Sequence, residues 1–190
     1  MQKLETERLV LRTFTNSDLE IHRVIFSDEE VCRYYCGKTR TEEETGEWLI
    51  HRKWQARYSD ELGFLAVVRK SDEQILGLVA LQLSISPWLQ LEEASESPFF
   101  PITIELSYAI GREYQQQGYA TEACTALVEY GFKTMRLQRL TNGVSSENIP
   151  TNRLCQKLGF RQVRNIHPVG GGGNVWILDN PYVDELRAAH

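Results

Sequence analysis

The chain has 190 residues, 42% of them hydrophobic and 25% charged, and a formal charge of −5. These are ordinary values for one globular domain that buries its core without cross-links, so residues 1–190 are read as a single domain. The acidic balance argues against a broad nucleic-acid-binding face. No run approaches the roughly 20 apolar residues of a membrane helix. The opening MQKLETERLV has no apolar signal core, and a cytoplasmic protein is expected.

Residues 8–14, RLVLRTF, read as a strand. Thr15 with Asp18 has the spacing of a capping box and predicts a helix starting there. Thr41 with Glu44 predicts a second helix, through Trp48 and Leu49 toward Ala56. Cys32 and Cys36 fall one turn apart, with no cluster of further His or Cys ligands nearby. They and Cys124 and Cys155 are expected to be free thiols, with no metal site. Residues 63–70 and 74–84 flank a turn-like SDE and predict two antiparallel strands. Residues 85–101, rich in Ser, Pro and Glu, form an irregular connection, long for a compact domain, that is expected to shape a substrate site. A strand is expected over residues 102–110. Ala120, Cys124, Leu127, Gly131 and Met135 recur at helical spacing and predict an amphipathic helix over residues 119–135. RLTNGVS is a further strand. NIPTNRLCQKLGF is a short helix stopping at Gly159. RQVRNI and NVWILD close the sheet as a hairpin, and PYVDELRAA could add a small helix. The class is α/β or α+β, one mixed sheet flanked by helices.

The stretch GREYQQQGYATEA places Gly118 between a strand and a long helix. The first amides of such a helix lack intrahelical partners, and its dipole adds positive charge there, so phosphate is a natural guest. Gly118 and Ala120 would leave room for it. A tight turn that needs glycine only for positive φ is an equal alternative. Neither the dinucleotide G-x-G-x-x-G pattern nor the G-x-x-x-x-G-K-[ST] pattern is present.

Gln115-Gln116-Gln117-Gly118-Tyr119-Ala120 resembles the Q/R-x-x-G-x-G/A signature of the GNAT superfamily of N-acetyltransferases. Asn148 to Phe160 resembles that family's N-x-x-S-x-x-x-x-x-x-L-G-F helix, and ETERLVLR resembles the start of its RimJ/RimL group, which acetylates ribosomal-protein N-termini. The resemblance spans nearly the whole chain. It implies a mostly antiparallel mixed sheet in which a splayed strand pair binds acetyl-CoA, and direct acetyl transfer to an amine. It places the pyrophosphate on the backbone amides from Gln117 through Gly118, Tyr119 and Ala120 to Thr121, and counts Gln115 and Gln116 among the cofactor-binding residues. It places the pantetheine along Tyr108, Ala109 and Ile110, and it gives Asn148 a part in holding the cofactor and its helix. The acceptor is then a protein or peptide α-amine, or a small amine such as an aminoglycoside, polyamine or amino acid. A non-catalytic acyl-CoA sensor is the alternative from another class. A homodimer through exposed sheet edges is allowed but not required.

Glu105 sits in an apolar strand just before the cofactor contacts and is the candidate base for the amine proton; a solvent-side or salt-bridged residue is the alternative. Thr151 stands where the RimJ/RimL type has Ser and is the candidate proton donor to the thiolate, with helix capping as its alternative role. Cys155 stands where other members have Tyr and is expected to pack. The backbone amide near Ile110 is the candidate oxyanion donor. His167, Gly170 to Gly173, Arg112, Arg153, Lys157, Trp48, Trp54 and Trp88 are weaker candidates, each with an ordinary structural reading.

Overall fold

The computed structural model describes residues 3–58, 62–85, 102–165 and 173–183. Within them the strands are β1 (Leu4–Glu5), β2 (Leu9–Thr13), β3 (Gly63–Arg69), β4 (Ile75–Ile85), β5 (Ile102–Ile110), β6 (Arg139–Ser145), β7 (Arg161–Val163) and β8 (Gly173–Asp179). The helices are α1 (Glu29–Tyr35), α2 (Glu42–Tyr58), α3 (Tyr119–Glu129) and α4 (Ile149–Lys157). The strands form one eight-stranded sheet in the order β1-β2-β3-β4-β5-β6-β8-β7. β1–β2, β2–β3, β3–β4, β6–β8 and β7–β8 pair antiparallel. β5 and β6 pair in parallel, with Glu105 opposite Thr141. The chain divides into two compact units, Met1–Gln82 with Ser107–Leu127, and Leu83–Leu106 with Val128–His190. β5 therefore passes from the second unit to the first between Leu106 and Ser107.

In the first unit, Leu65, Ala66 and Val67 are consecutive and fully buried. A strand covered on both faces needs such an unbroken apolar run. Trp48 is buried and packs edge-on against Phe14, Phe26 and Phe64, at centroid distances of 5.3, 5.0 and 5.6 Å. It belongs to the core. The Thr41/Glu44 capping box forms in both directions: the Thr41 amide donates to Glu44 Oε2 at 2.8 Å, and the Glu44 amide to Thr41 Oγ1 at 3.1 Å.

The Thr15/Asp18 box forms in one direction only. The Thr15 amide donates to Asp18 Oδ2 at 2.6 Å, but the Thr15 hydroxyl pairs with Ser17. Arg12 grips both carboxylate oxygens of Asp18, at 2.8 and 2.9 Å. Helical residues begin only at Glu20, and the segment winds as a π-helix over His22–Phe26. Here a part-buried ion pair engages the capping residue. Burial alone would raise the Asp18 carboxyl, but Arg12 and the Thr15 amide outweigh it and hold it below the usual range.

In the second unit a buried asparagine joins three elements. Asn152 Nδ2 donates to the carbonyls of Ser145 and Asn148, both at 2.9 Å. Its Oδ1 accepts from Asn174 Nδ2 at 2.8 Å and from the Trp176 indole at 2.9 Å. α4 is thereby fastened to β6 and β8. The helix expected over residues 119–135 ends as α3 at Glu129 and continues as a π turn, Tyr130–Thr134, whose wider winding carries Met135 beyond the regular spacing. Asn180 Nδ2 closes this end by donating to Phe132 O and Leu137 O. Gly159 ends α4 at φ +87°, the left-handed stop its position predicts. β7 and β8 form the antiparallel pair expected from RQVRNI and NVWILD. The segment 86–101, with Trp88, lies outside the described residues, as do His167, Gly170 to Gly172 and most of PYVDELRAA.

Candidate functional site

In the first unit β5 ends at Ile110, Gly111 follows, a 3-10 turn covers Arg112–Tyr114, and residues 115–118 lead into α3. Tyr108 is half-buried, while Ala109 and Ile110 are buried. The Gly111 amide donates to Leu76 O at 2.9 Å, holding the strand end against β4. Contact there is closest at Gly77, where a Cβ would fall 2.1 Å from Ala109 O. Gln115 is turned inward: its side chain donates to Ile110 O at 2.9 Å and its amide to Arg112 O at 3.3 Å. It shapes the loop by occupying the Ile110 carbonyl.

Residues 115–118 are exposed, and two of them lie in the left-handed region, Gln116 at φ +60° and Gly118 at φ +85°. Intrahelical bonding begins at the Glu122 amide, which donates to Gly118 O at 3.0 Å. The amides of Tyr119, Ala120 and Thr121 are thus first-turn donors with no carbonyl one turn earlier in the helix. They carry the positive end of the α3 dipole. With glycine at 118 and alanine at 120 beside them, this cradle fits a diphosphate. Arg112, a weaker phosphate candidate, pairs with Asp28 at 3.4 Å.

In the second unit Glu105 is half-buried on β5, and its Oε1 accepts from the Gly143 amide of β6 at 3.3 Å. The neighbouring Thr141 hydroxyl donates to Ile104 O at 3.3 Å. Glu105 therefore reaches across the parallel β5–β6 seam, through a hydrogen bond that remains exposed. Asn148 is the N-cap of α4: its side chain accepts from the Thr151 amide at 3.3 Å. The capping role considered for Thr151 belongs to Asn148, and Thr151 sits half-buried inside the first turn. Cys155 is buried, and burial pushes its thiol up to about 12, as befits a packing residue. Arg153 and Lys157 are exposed on α4.

Composition and spacing did not single out Arg8, Arg40, Arg52 or Asn152. Arg40 and Arg52 both approach the Trp48 ring, at 6.0 and 5.4 Å from its centroid, and Arg52 also covers Phe64 at 4.3 Å. Burial, with the nearby charge of Arg40, lowers the Arg52 pKa, and burial raises that of the Tyr35 phenol beside them. No group of three or more His, Cys, Asp or Glu residues among the described residues could hold a metal. No described helix is long and apolar enough to cross a membrane.

The family described as acetyltransferase (GNAT) domain matches residues 8–161. The chain belongs to the GNAT acetyltransferase family. It is an N-acetyltransferase, and its cofactor is acetyl-CoA. It is 27% identical over 173 residues to the uncharacterized N-acetyltransferase YnaD of Bacillus subtilis (strain 168), covering 91% of each chain. A GNAT-family acetyltransferase from Bacillus anthracis superposes with a TM-score of 0.70 at 23% identity, covering 93% of this chain and 96% of that one. The ribosomal L7/L12 alpha-N-protein acetyltransferase RimL, solved with coenzyme A, gives a TM-score of 0.70 at 12% identity, covering 94% and 98%. At these identities the two structures speak for the fold.

Proposed function

We propose that this acetyltransferase transfers the acetyl group of acetyl-CoA directly to the α-amine of a protein or peptide. The observation that carries the transfer is the cradle of first-turn amides at Gly118, Tyr119, Ala120 and Thr121, which follows directly on the strand end at Ile110. The opening ETERLVLR, which resembles the RimJ/RimL group, supports the acceptor. When bound, acetyl-CoA supplies a thioester whose carbonyl carbon the amine attacks. Residues 115–121 hold the diphosphate, and Tyr108, Ala109 and Ile110 guide the pantetheine. Glu105, aligned by the Gly143 amide, takes the amine proton through water. The Ile110 amide donates to the oxygen that gains negative charge. As the carbon–sulfur bond breaks, Thr151, held in place by the Asn148 cap, passes its proton to the leaving sulfur and regains one from water.

A second reading keeps this chemistry and gives it a small amine that carries a carboxylate, such as an amino acid. It is favoured by the two guanidiniums, Arg40 and Arg52, that converge on one indole in the first unit. Guanidinium forks match carboxylates well.

The test is thiol release from acetyl-CoA against a mixed amine panel, with CoA calorimetry beside it. The panel holds ribosomal-protein N-terminal peptides, free amino acids, aminoglycosides and polyamines. Turnover confined to peptides supports the leading reading, and turnover confined to amino acids supports the second. Turnover confined to polycations removes both acceptors. CoA binding without turnover on any amine points to the sensor.

A further inference from the structure

Beside the proposed cofactor loop, one cation from a distant part of the chain touches Gln117, Tyr119 and Glu122 and lies against Gly118. Arg8, at the edge of β2, sends Nη1 to Gln117 O at 3.0 Å and Nε to Glu122 Oε2 at 2.7 Å. Its guanidinium lies over the Tyr119 ring, 4.4 Å from the centroid. A Cβ placed on Gly118 would come 3.3 Å from Arg8 Nη2, so the guanidinium fills the space a side chain at 118 would take. Glu122 also accepts from the Arg8 amide at 2.8 Å and the Thr6 hydroxyl at 2.5 Å. All these residues belong to the first unit.

Glu122 itself poses an electrostatic problem. A carboxylate in the first turn of α3 stabilises the helix, yet it repels an anion bound at the same helix end. Burial pushes the Glu122 carboxyl up, but the bonds from Thr6 and Arg8 prevail and hold it below its usual range, so it is ionised at neutral pH. Its side chain is only 17% exposed, which leaves water little part in screening it. The charge opposing it is Arg8.

We propose that Arg8 is a positioning residue for the diphosphate of acetyl-CoA, bracing the 117–119 backbone and cancelling the Glu122 carboxylate that would otherwise repel the phosphates. It rests on the reading that the diphosphate sits at this loop. Arg8 makes its contacts through the loop and the helix, and it takes no part in proton transfer.

Calorimetry with CoA, beside thermal melting, tests this on four proteins: wild type, Arg8→Ala, Glu122→Gln, and the double variant. Arg8→Ala should weaken CoA binding about ten-fold. Glu122→Gln should lower the melting temperature, because it weakens three bonds, yet bind CoA at least as tightly as wild type. In the double variant, affinity should recover to within about three-fold of wild type while the melting temperature stays low. A purely structural Arg8–Glu122 pair would instead lose affinity and stability together in all three variants, and that result overturns the proposal. Arg8→Ala binding CoA as wild type does would also overturn it. Should Arg8→Ala fail to fold, Glu122→Gln still decides, since weaker CoA binding in that variant contradicts the argument. A Gly118→Asp variant that binds CoA with wild-type affinity shows that the diphosphate lies elsewhere. That refutes the placement of the cofactor first, and this proposal with it.

Discussion

Replacing Gly77 by Ala should damage both the fold and cofactor binding, for a reason visible in one close approach. The new Cβ would sit 2.1 Å from Ala109 O, 2.9 Å from Ile110 Cα and 3.1 Å from Ala109 C. All three are backbone atoms, so no side chain can swing aside. Ordinary van der Waals contact starts at 3.4 Å, so the two strands must separate by more than an ångström. The ladder is already irregular here, with a register shift in β3 at Val67/Val68 opposite this part of β4. Overpacking of a close-packed interior costs about 1–3 kcal/mol, and backbone on both sides puts this case near the top, at about 3 kcal/mol. In a domain of this size that lowers the melting temperature by about 6–12 °C. The displaced atoms belong to the strand end proposed to guide the pantetheine, so on that proposal CoA affinity should fall as well. Urea denaturation with CoA calorimetry reads both effects. Gly46→Ala is the control: it lies within α2, its Cβ meets only Leu19 Cδ2 at 3.9 Å, and it should stabilise by about 0.5–1 kcal/mol. A Gly77→Ala protein as stable as wild type, with unchanged CoA binding, would refute the reasoning.

Glu105→Gln should lower kcat by about a hundred-fold with little change in CoA affinity. It should also remove the carboxylate's limb from the pH–rate profile, and an unchanged profile takes Glu105 out of the mechanism. Thr151→Val should leave CoA binding intact and lower kcat about ten-fold; normal turnover would show that the hydroxyl is not the proton donor. Asn152→Ala should destabilise by about 2 kcal/mol, measured by urea denaturation, because it leaves the buried Trp176 indole N–H without this partner and removes two part-buried bonds to carbonyls. Asp18 carries a pH dependence of stability. Its folded pKa is depressed, so its contribution is complete above the unfolded value of about 3.9 and is lost as pH falls through the lower folded value. Asp18→Asn should be less stable at neutral pH and lose less on acidification; equal acid slopes would mean that the Arg12 pair contributes nothing.

Structure that depends on near neighbours was legible in the residues themselves. The Thr41/Glu44 box, the glycine stop at 159 and the bounds of β5 all follow from signals a few positions apart. Backbone conformation there is set by local sterics and by hydrogen bonds across three or four residues. The Thr15/Asp18 spacing carried the same signal, yet Arg12 claimed the carboxylate and the helix started later. Nothing local announces that competition.

The cofactor loop divides in the same way. The strand over 102–110, the helical spacing after Tyr119 and the glycine between them were legible in the sequence, which left a phosphate cradle and a positive-φ turn as equal readings of Gly118. Only the tertiary structure decided that Arg8 would reach Glu122 across 114 positions, that Gln115 would turn inward, and that Asn152 would hold Trp176 across 24. Such contacts depend on which elements the sheet brings together. A pairing energy of a kilocalorie or so leaves no periodicity in the chain that could reveal it.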